Sequence, residues 1–360
     1  MCKNPMWRVP VKEYIARYLF GSELRGYRNG AFIVSQQDPM RLEFIMSMLS
    51  QNPKAYSYAE EGISVIGCGQ CLECKINKSK EWAQRSVAEA QMHFDNWFIT
   101  LTYDDEHLPP AIPTFSRHNF EFGLWSPLLY VDFVDFKKRL LEHFRYHFNV
   151  DGIRFLMCGE YGPQSGRPHF HVIFYNLPLP DVEKHSEQSV GGKSYVYMTS
   201  KLIEEKWGKG FVTLGEVNWE TSAYVGRYVL KKFNNLDEYE YCKLCHDYGW
   251  EPLPPEIREA SRRPGLARPF YDEHKDEIYA FDKVVLPNGQ TPKPCSYFDR
   301  LYDLEEPVFL AALKKRRKEK ALLHQRNEQS KFKNSTEYQE YKNKKSEKFA
   351  RSISKLKRPL

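Results

Sequence analysis

The sequence predicts an α+β fold, a central antiparallel sheet with helices packed on one side of it. Three observations carry that reading. Runs rich in aromatic and β-branched residues, such as Trp97–Tyr103 (WFITLTY) and His169–Tyr175, have the composition and length of strands. Other stretches place apolar residues at helical spacing. The two patterns succeed one another as β, α, β-β, α, β, α, with no internal repeat.

In chain order, residues 1–66 mix aromatics, Gly and Pro and offer no element that pattern can place. A helix is expected from about Ser79 to Phe94, with Trp82, Val87 and Ala90 on one side, and the strand Trp97–Tyr103 follows it. Asp132 reads as an N-cap, because Phe133, Phe136, Leu140 and Phe144 succeed it at helical spacing. Ile153–Glu160 and His169–Tyr175 are two strands joined by turn material, 161–168 (YGPQSGRP). A short helix near Lys201–Trp207 stops at Gly208 or Gly210, Phe211–Val217 is a further strand, and Glu220–Phe233 is helical by pattern. Beyond about Pro252 the chain turns Pro-rich and irregular, and from about Pro307 it becomes a basic helix and then a polar tail.

The net charge of +6 hides an asymmetry: residues 311–360 hold 17 Lys/Arg against 5 Asp/Glu, which leaves the rest of the chain at −6. A basic tail on a neutral-to-acidic body suits a polyanionic partner, although a charge run alone is more often a solvated tail. Aromatic content of 15% offers faces on which unpaired bases stack, and the 41% of hydrophobic residues is enough for a real core. No run of 18 apolar residues exists to span a membrane. Met1–Pro10 lacks the apolar core of a signal peptide. The expected setting is therefore intracellular, with the 8 cysteines reduced, buried or metal-bound. Cys68, Cys71, Cys74, Cys242 and Cys245 are candidate thiolates for a structural Zn²⁺, if folding brings the two groups together. The alternative is partly buried thiols.

The strongest chemical signal is His169-Phe170-His171. On a strand, residues i and i+2 share a face, so two imidazoles stand side by side. Phe170, Val172 and Phe174 then point to the other face, toward a core. Glu160 ends the preceding strand and faces His169 across the mouth of a hairpin. Two histidines and a carboxylate suit Mg²⁺ or Mn²⁺ acting on a phosphate. Such a pair of histidines by itself is more often two satisfied or surface side chains. The second signal is Tyr224-Val-Gly-Arg-Tyr228, with tyrosines on one helical face and Lys231 and Lys232 a turn further on. A tyrosine hydroxyl is a poor nucleophile at neutral pH, and nearby lysine charge eases its attack. Alone, this stripe reads as core packing. Thr100, Thr102 and Arg167 are candidate phosphate or DNA contacts.

Each part is common; the combination is specific. LTYDDEHLP, CGEYGPQSGRPHFH and YVGRYVLKK, in this order and spacing, resemble the HUH endonucleases that initiate rolling-circle replication. The likeness is closer to the replication initiators of the Microviridae, the gokushovirus branch in particular, and CGQCLECKINKSKEWAQR and SRRPGLARPFYD share it. It covers about residues 60–300. The resemblance implies the HUH fold, a central antiparallel sheet with packed helices, flanked by N- and C-terminal extensions. The boundaries are then an N-terminal extension (1–66), a nuclease domain (67–240), an irregular extension (241–306) and a basic helical or disordered tail (307–360). It also implies that Glu160, His169 and His171 hold Mg²⁺ or Mn²⁺. On the same resemblance, Tyr224 and Tyr228 would nick single-stranded origin DNA through a 5′-phosphotyrosine and later rejoin it. Host helicase and polymerase would be partners, in the cytoplasm of the host bacterium; no Walker A pattern is present. Rival readings are a zinc-organised nucleic-acid-binding protein without catalysis, a metal phosphoesterase using water, and a relaxase or transposase with the same chemistry.

Overall fold

The computed structural model describes residues 5–354, apart from 22–23, 70, 118, 163–164, 191–192 and 232–237. It comprises two compact units, Met1–Lys78 and Ser79–Leu360.

The first unit is where pattern offered nothing. It holds β1 (Met6–Pro10), α1 (Glu13–Phe20), β2 (Tyr27–Arg28), β3 (Ala31–Ser35), α2 (Pro39–Ser50), α3 (Pro53–Gly62) and β4 (Ser64–Ile66). The strands form an antiparallel sheet in the order β2-β3-β1-β4. None exceeds five residues, too short for alternation to register. Two helices start on Asp38 and Asn52, whose side chains accept from Arg41 and Ala55 N–H, each with a proline at the helix start. Val9, Phe20, Phe32, Ile45 and Leu49 form this unit's own core.

The next helix, α4, runs Leu72–Ala90 and starts earlier than its apolar spacing indicated. After it come β5 (Asn96–Tyr103), a hairpin of β6 (Ile112–Phe115) and β7 (Phe122–Trp125), and α5 (Tyr130–Phe148). β8 (Arg154–Tyr161) and β9 (Pro168–Tyr175) form the expected hairpin, followed by β10 (Val182–Val190), β11 (Lys193–Ser200), α6 (Lys201–Trp207) and β12 (Gly210–Glu216). α7 (Trp219–Lys231), α8 (Glu238–Asp247), β13 (Ile257–Ala260), α9 (Arg268–Phe281), α10 (Ser296–Glu305), α11 (Pro307–Gln329) and α12 (Ser335–Ser354) complete the chain. The main sheet has seven strands in the order β10-β11-β12-β5-β9-β8-β13, every pair antiparallel.

The expectation of helices on one side is corrected: both faces are covered. On one face, Ile99, Leu101, Phe170, Val172 and Phe174 pack under α5 and α6, through Phe133, Phe136, Leu140, Phe144 and Trp207. On the other, Phe98, Leu156, Ile173 and Tyr175 meet Tyr224 and Val225 of α7, with Trp82 of α4 against them. β8 and β9 therefore bury both sets of alternating side chains, Glu160 and His171 included. Phe136 is fully buried, so truncation to alanine would cost about 3–5 kcal/mol.

Two further readings are corrected. Asp132 is not an N-cap: the helix opens at Tyr130 after Leu129, and Asp132 lies in its first turn. Its carboxylate instead accepts from the Tyr103 hydroxyl at 2.7 Å and pairs with Lys209 at 3.2 Å. The segment 241–306 is not irregular, since it contributes β13 to the sheet edge and two helices, α9 and α10, to a separate core with Phe270, Tyr271 and Phe298. The basic helix expected from about Pro307 is α11. Leu310 and Leu313 of α11 are buried in that same core, and Arg317 binds Asp282 at 2.9 Å and Asp299 at 2.7 Å. Among the described residues no helix is long and apolar enough to cross a membrane.

Candidate metal and tyrosine site

The site is built on the register of three strands. Glu160 of β8 stands opposite His169 of β9, and His171 stands opposite Cys158. On the other side of β9, Thr100 pairs with His171 and Thr102 with His169. Alternation puts all of these on the face that α7 covers, while Phe170 and Val172 enter the opposite core.

One carboxylate oxygen is the focus. Glu160 Oε1 lies 2.8 Å from His169 Nε2 and 3.1 Å from His171 Nε2, and the Tyr224 hydroxyl donates to it across 3.2 Å. That same hydroxyl is 3.2 Å from His171 Nε2. Glu160 is fully buried and His171 is 2% exposed. Burial by itself would raise the Glu160 pKa. The hydrogen bonds from His169 and His171 outweigh it and hold the carboxyl well below the usual range, so Glu160 is anionic at neutral pH.

The far nitrogens fix the tautomers. His169 Nδ1 is 3.0 Å from the Arg167 carbonyl, which can only accept, so Nδ1 carries the hydrogen. His171 Nδ1 is 2.9 Å from Thr100 Oγ1, which can accept in the same way. A ring that also carries a hydrogen on Nε2, and so donates to Glu160, is an imidazolium; in a neutral ring with its hydrogen on Nδ1, the Nε2 lone pair points at the anionic oxygen. Acceptors so arranged repel unless a proton or a cation lies among them. The three ligand atoms lie within 4.8 Å of one another, and the donor set of two imidazoles and a carboxylate fits a divalent cation such as Mn²⁺ or Mg²⁺.

Tyr224 is nearly buried and packs edge-on against Phe98 and the His171 ring. Gly226 lets its helix pack closely on α4. A Cβ there would stand 2.8 Å from the Ser79 carbonyl of α4. Tyr228 and Lys231 lie further along α7, and Lys232 is outside the described residues. Two other tyrosines near the motifs are excluded by position. Tyr103 donates to Asp132 and Tyr161 donates to the Pro254 carbonyl at 2.9 Å, both on the opposite, core face.

Of the three candidate phosphate contacts, Thr100 lies 2.9 Å from His171 Nδ1. Arg167 offers its carbonyl to His169, and its guanidinium pairs with the exposed Asp105. Thr102 is half-buried beside His169. Sequence reading missed Phe98, whose ring stacks on His171 with centroids 5.6 Å apart. Only its place two residues before Thr100 could have signalled it.

The cysteines divide. Cys68, Cys71 and Cys74 bring their sulfurs within 4.8 Å of one another, and the Cys71 N–H donates to Cys68 Sγ at 3.2 Å. Cys242 and Cys245 sit on α8 in the second unit with partners of their own. Cys245 is buried 3.7 Å from Thr114 Oγ1, and Cys242 lies beside Glu238. Burial and the Glu238 carboxylate push the Cys242 thiol up.

The family model for the replication-associated protein ORF2 matches residues 96–233, the span from β5 to the end of α7. The chain is 31% identical over 310 residues to the replication-associated protein ORF2 of Spiroplasma virus 4, covering 82% of this chain and 85% of that one. It is 31% identical over 270 residues to the replication-associated protein VP4 of Bdellovibrio phage phiMH2K, with 73% and 76% covered. It is 35% identical over 254 residues to the replication-associated protein ORF4 of Chlamydia phage 1, with 65% and 59% covered. No solved structure matches it.

Proposed function

Because the chain belongs to this family of phage replication-associated proteins, of the Microviridae type, we propose that it is the endonuclease that nicks and rejoins single-stranded origin DNA in rolling-circle replication. The observation that carries this reading is the convergence of Glu160, His169, His171 and the Tyr224 hydroxyl on one point. It joins a nucleophile to a cation site, which a plain binding module does not need.

Glu160, His169 and His171 would hold Mg²⁺ or Mn²⁺, and a cation bound there would supply charge stabilisation at the scissile phosphate. Thr100 and the Arg167 carbonyl keep the two imidazoles turned toward it. The phenol oxygen of a tyrosine attacks phosphorus. An O–P bond forms, the bond from phosphorus to the 3′ oxygen breaks, the phenol proton passes to solvent, and the 3′ oxygen takes up a proton. Tyr224 and Tyr228 divide the cutting and closing transfers, with Lys231 and Lys232 easing attack by Tyr228. The bond energy kept in the phosphotyrosine drives rejoining without ATP. The freed 3′ end primes synthesis by host helicase and polymerase in the bacterial cytoplasm. Cys68, Cys71 and Cys74 hold a structural Zn²⁺.

The test is incubation with single-stranded DNA carrying the phage origin and Mn²⁺, followed by denaturing electrophoresis. The expected result is a covalent protein–DNA band that EDTA suppresses and that the His169→Ala/His171→Ala protein lacks. Cleavage without any covalent adduct would point to a water nucleophile. DNA binding without cleavage would point to a non-catalytic module.

A further inference from the structure

A second feature of the larger unit has no part in the site above. Two cavities adjoin where α9 ends. One, about 370 Å³, lies between the C-terminus of α9, the loop 283–293 and α11, and is lined by Lys283, Lys293, Arg316, Arg317 and Lys320. The other, about 510 Å³, is mainly apolar, with Phe270, Ile278, Phe281 and Val285 in its wall and Glu277 and His274 at its side. Both volumes fall in the range of ligand clefts, about 300–1,000 Å³. Phe281 and Lys283 line both cavities and so form the ridge between them. Phe281 is 74% exposed.

The charge of the basic cavity is built. Asp282 lines it, but Arg317 neutralises Asp282 and also grips Asp299. Lys283, Lys293, Arg316 and Lys320 are exposed, and none has an ion pair among the described residues. The burial of Leu310 and Leu313 fixes α11 in place, so Arg316 and Lys320 are presented by a docked helix. An exposed ring flanked by apolar wall on one side and four uncompensated cations on the other matches one ligand chemistry, an unpaired base joined to phosphates. We propose that these two cavities form a single-stranded DNA subsite, with a base against Phe281 and the flanking phosphates on Lys283, Lys293, Arg316 and Lys320. This rests on reading the chain as a handler of single strands, and it gives the basic segment a defined contact.

The test measures binding of a fluorescein-labelled 30-nucleotide single strand to the full-length protein in EDTA, so that no cleavage intervenes. Phe281→Ala is expected to weaken binding about 5- to 150-fold, the loss of one stacked base, with Phe281→Trp retaining affinity. Lys293→Ala/Arg316→Ala/Lys320→Ala should lower the log–log salt slope by about 2, from three lost phosphate contacts. Every position is exposed, so the fold should survive, and circular dichroism checks that. An equal slope change in Lys331→Ala/Lys333→Ala/Lys344→Ala would reduce the effect to bulk charge and overturn the proposal. So would unchanged affinity in Phe281→Ala. Competition by dATP as strong as by the strand would assign the cleft to a free nucleotide instead. Since nothing here is cut, failure of the nicking reaction leaves these outcomes readable.

Discussion

Thr100→Val removes one hydroxyl and keeps the side-chain shape. In the wild-type protein Thr100 Oγ1 lies 2.9 Å from His171 Nδ1 and can accept the hydrogen that Nδ1 must carry when Nε2 is a ligand; His171 is only 2% exposed, so no water can replace it. Without that acceptor, holding the hydrogen on Nδ1 leaves a buried donor unmet, at a cost of about 1–3 kcal/mol. The cation-free protein escapes this cost by moving the proton to Nε2, where it donates to Glu160 Oε1 at 3.1 Å. A cation needs that Nε2 lone pair, so binding must reverse the shift. The penalty therefore falls on metal binding and not on folding. We expect Mn²⁺ affinity to drop about 10- to 100-fold, measured by calorimetric titration or by the electron paramagnetic resonance of free Mn²⁺, with an almost unchanged melting temperature. Thr100→Ser should recover most of the loss. Wild-type Mn²⁺ affinity in the valine protein, or an equal loss in the serine protein, would refute the reasoning.

Tyr224→Phe and Tyr228→Phe should each still nick to a reduced degree and fail to release closed circles, the second with the larger loss in cleavage, while the double variant is inert. Mass spectrometry of the adduct locates the link, and a Tyr224→Phe protein that completes whole rounds would make Tyr224 a packing residue. Native mass spectrometry should find one Zn²⁺ per chain that Cys68→Ser removes. Loss in Cys242→Ser/Cys245→Ser as well would bring those thiols into the same set. Glu89 is fully buried; burial opposes its ionisation, but the hydrogen bond with His93 and the charge of Arg154 hold its carboxyl below the usual range. Its contribution is thus complete above the unfolded carboxyl value of about 4.3 and lost as pH falls further. Glu89→Gln, which leaves Arg154 unpaired, should lose about 3–5 kcal/mol at pH 7 and show a flatter acid limb in denaturation curves.

What was legible in the sequence follows strand length and side-chain alternation. β5, β8 and β9 are eight residues each, and the pairing of Glu160 with His169 could be anticipated because a hairpin with a short turn leaves few registers. The face of α5 was readable from Phe133 to Phe144 for the same reason. β13 was not: Ile-Arg-Glu-Ala has neither alternation nor length, and it is a strand because β8 offers it an edge. Asp132 misled because a buried Tyr103 hydroxyl claimed its carboxylate, a contact set by tertiary packing. The covering of both faces was hidden as well, since much of what α4 and α7 bury is polar, among it Ser79, Glu81, Gln84, Arg85, Ser86, Glu89, Thr221 and Ser222. Within the site, the ligands were legible as types and spacings. The roles of Thr100 and Phe98 depended on which strand lies beside β9.

The two-sided character of β9 ties the site to the core in a way that bears on how this protein can change over generations. A single-residue insertion or deletion within Pro168–Tyr175 would exchange the histidine set with the phenylalanine set. Imidazoles would then enter the packing under α5, and phenyl rings would face Glu160. Such a lineage would lose its fold and its chemistry in one step, leaving no folded but inactive descendant on which further drift could act. Changes in the length of the turn between β8 and β9 carry no such penalty, because the pairing on either side holds the register. Variation in relatives should therefore accumulate as gaps in that turn and as substitutions, not gaps, along the strand.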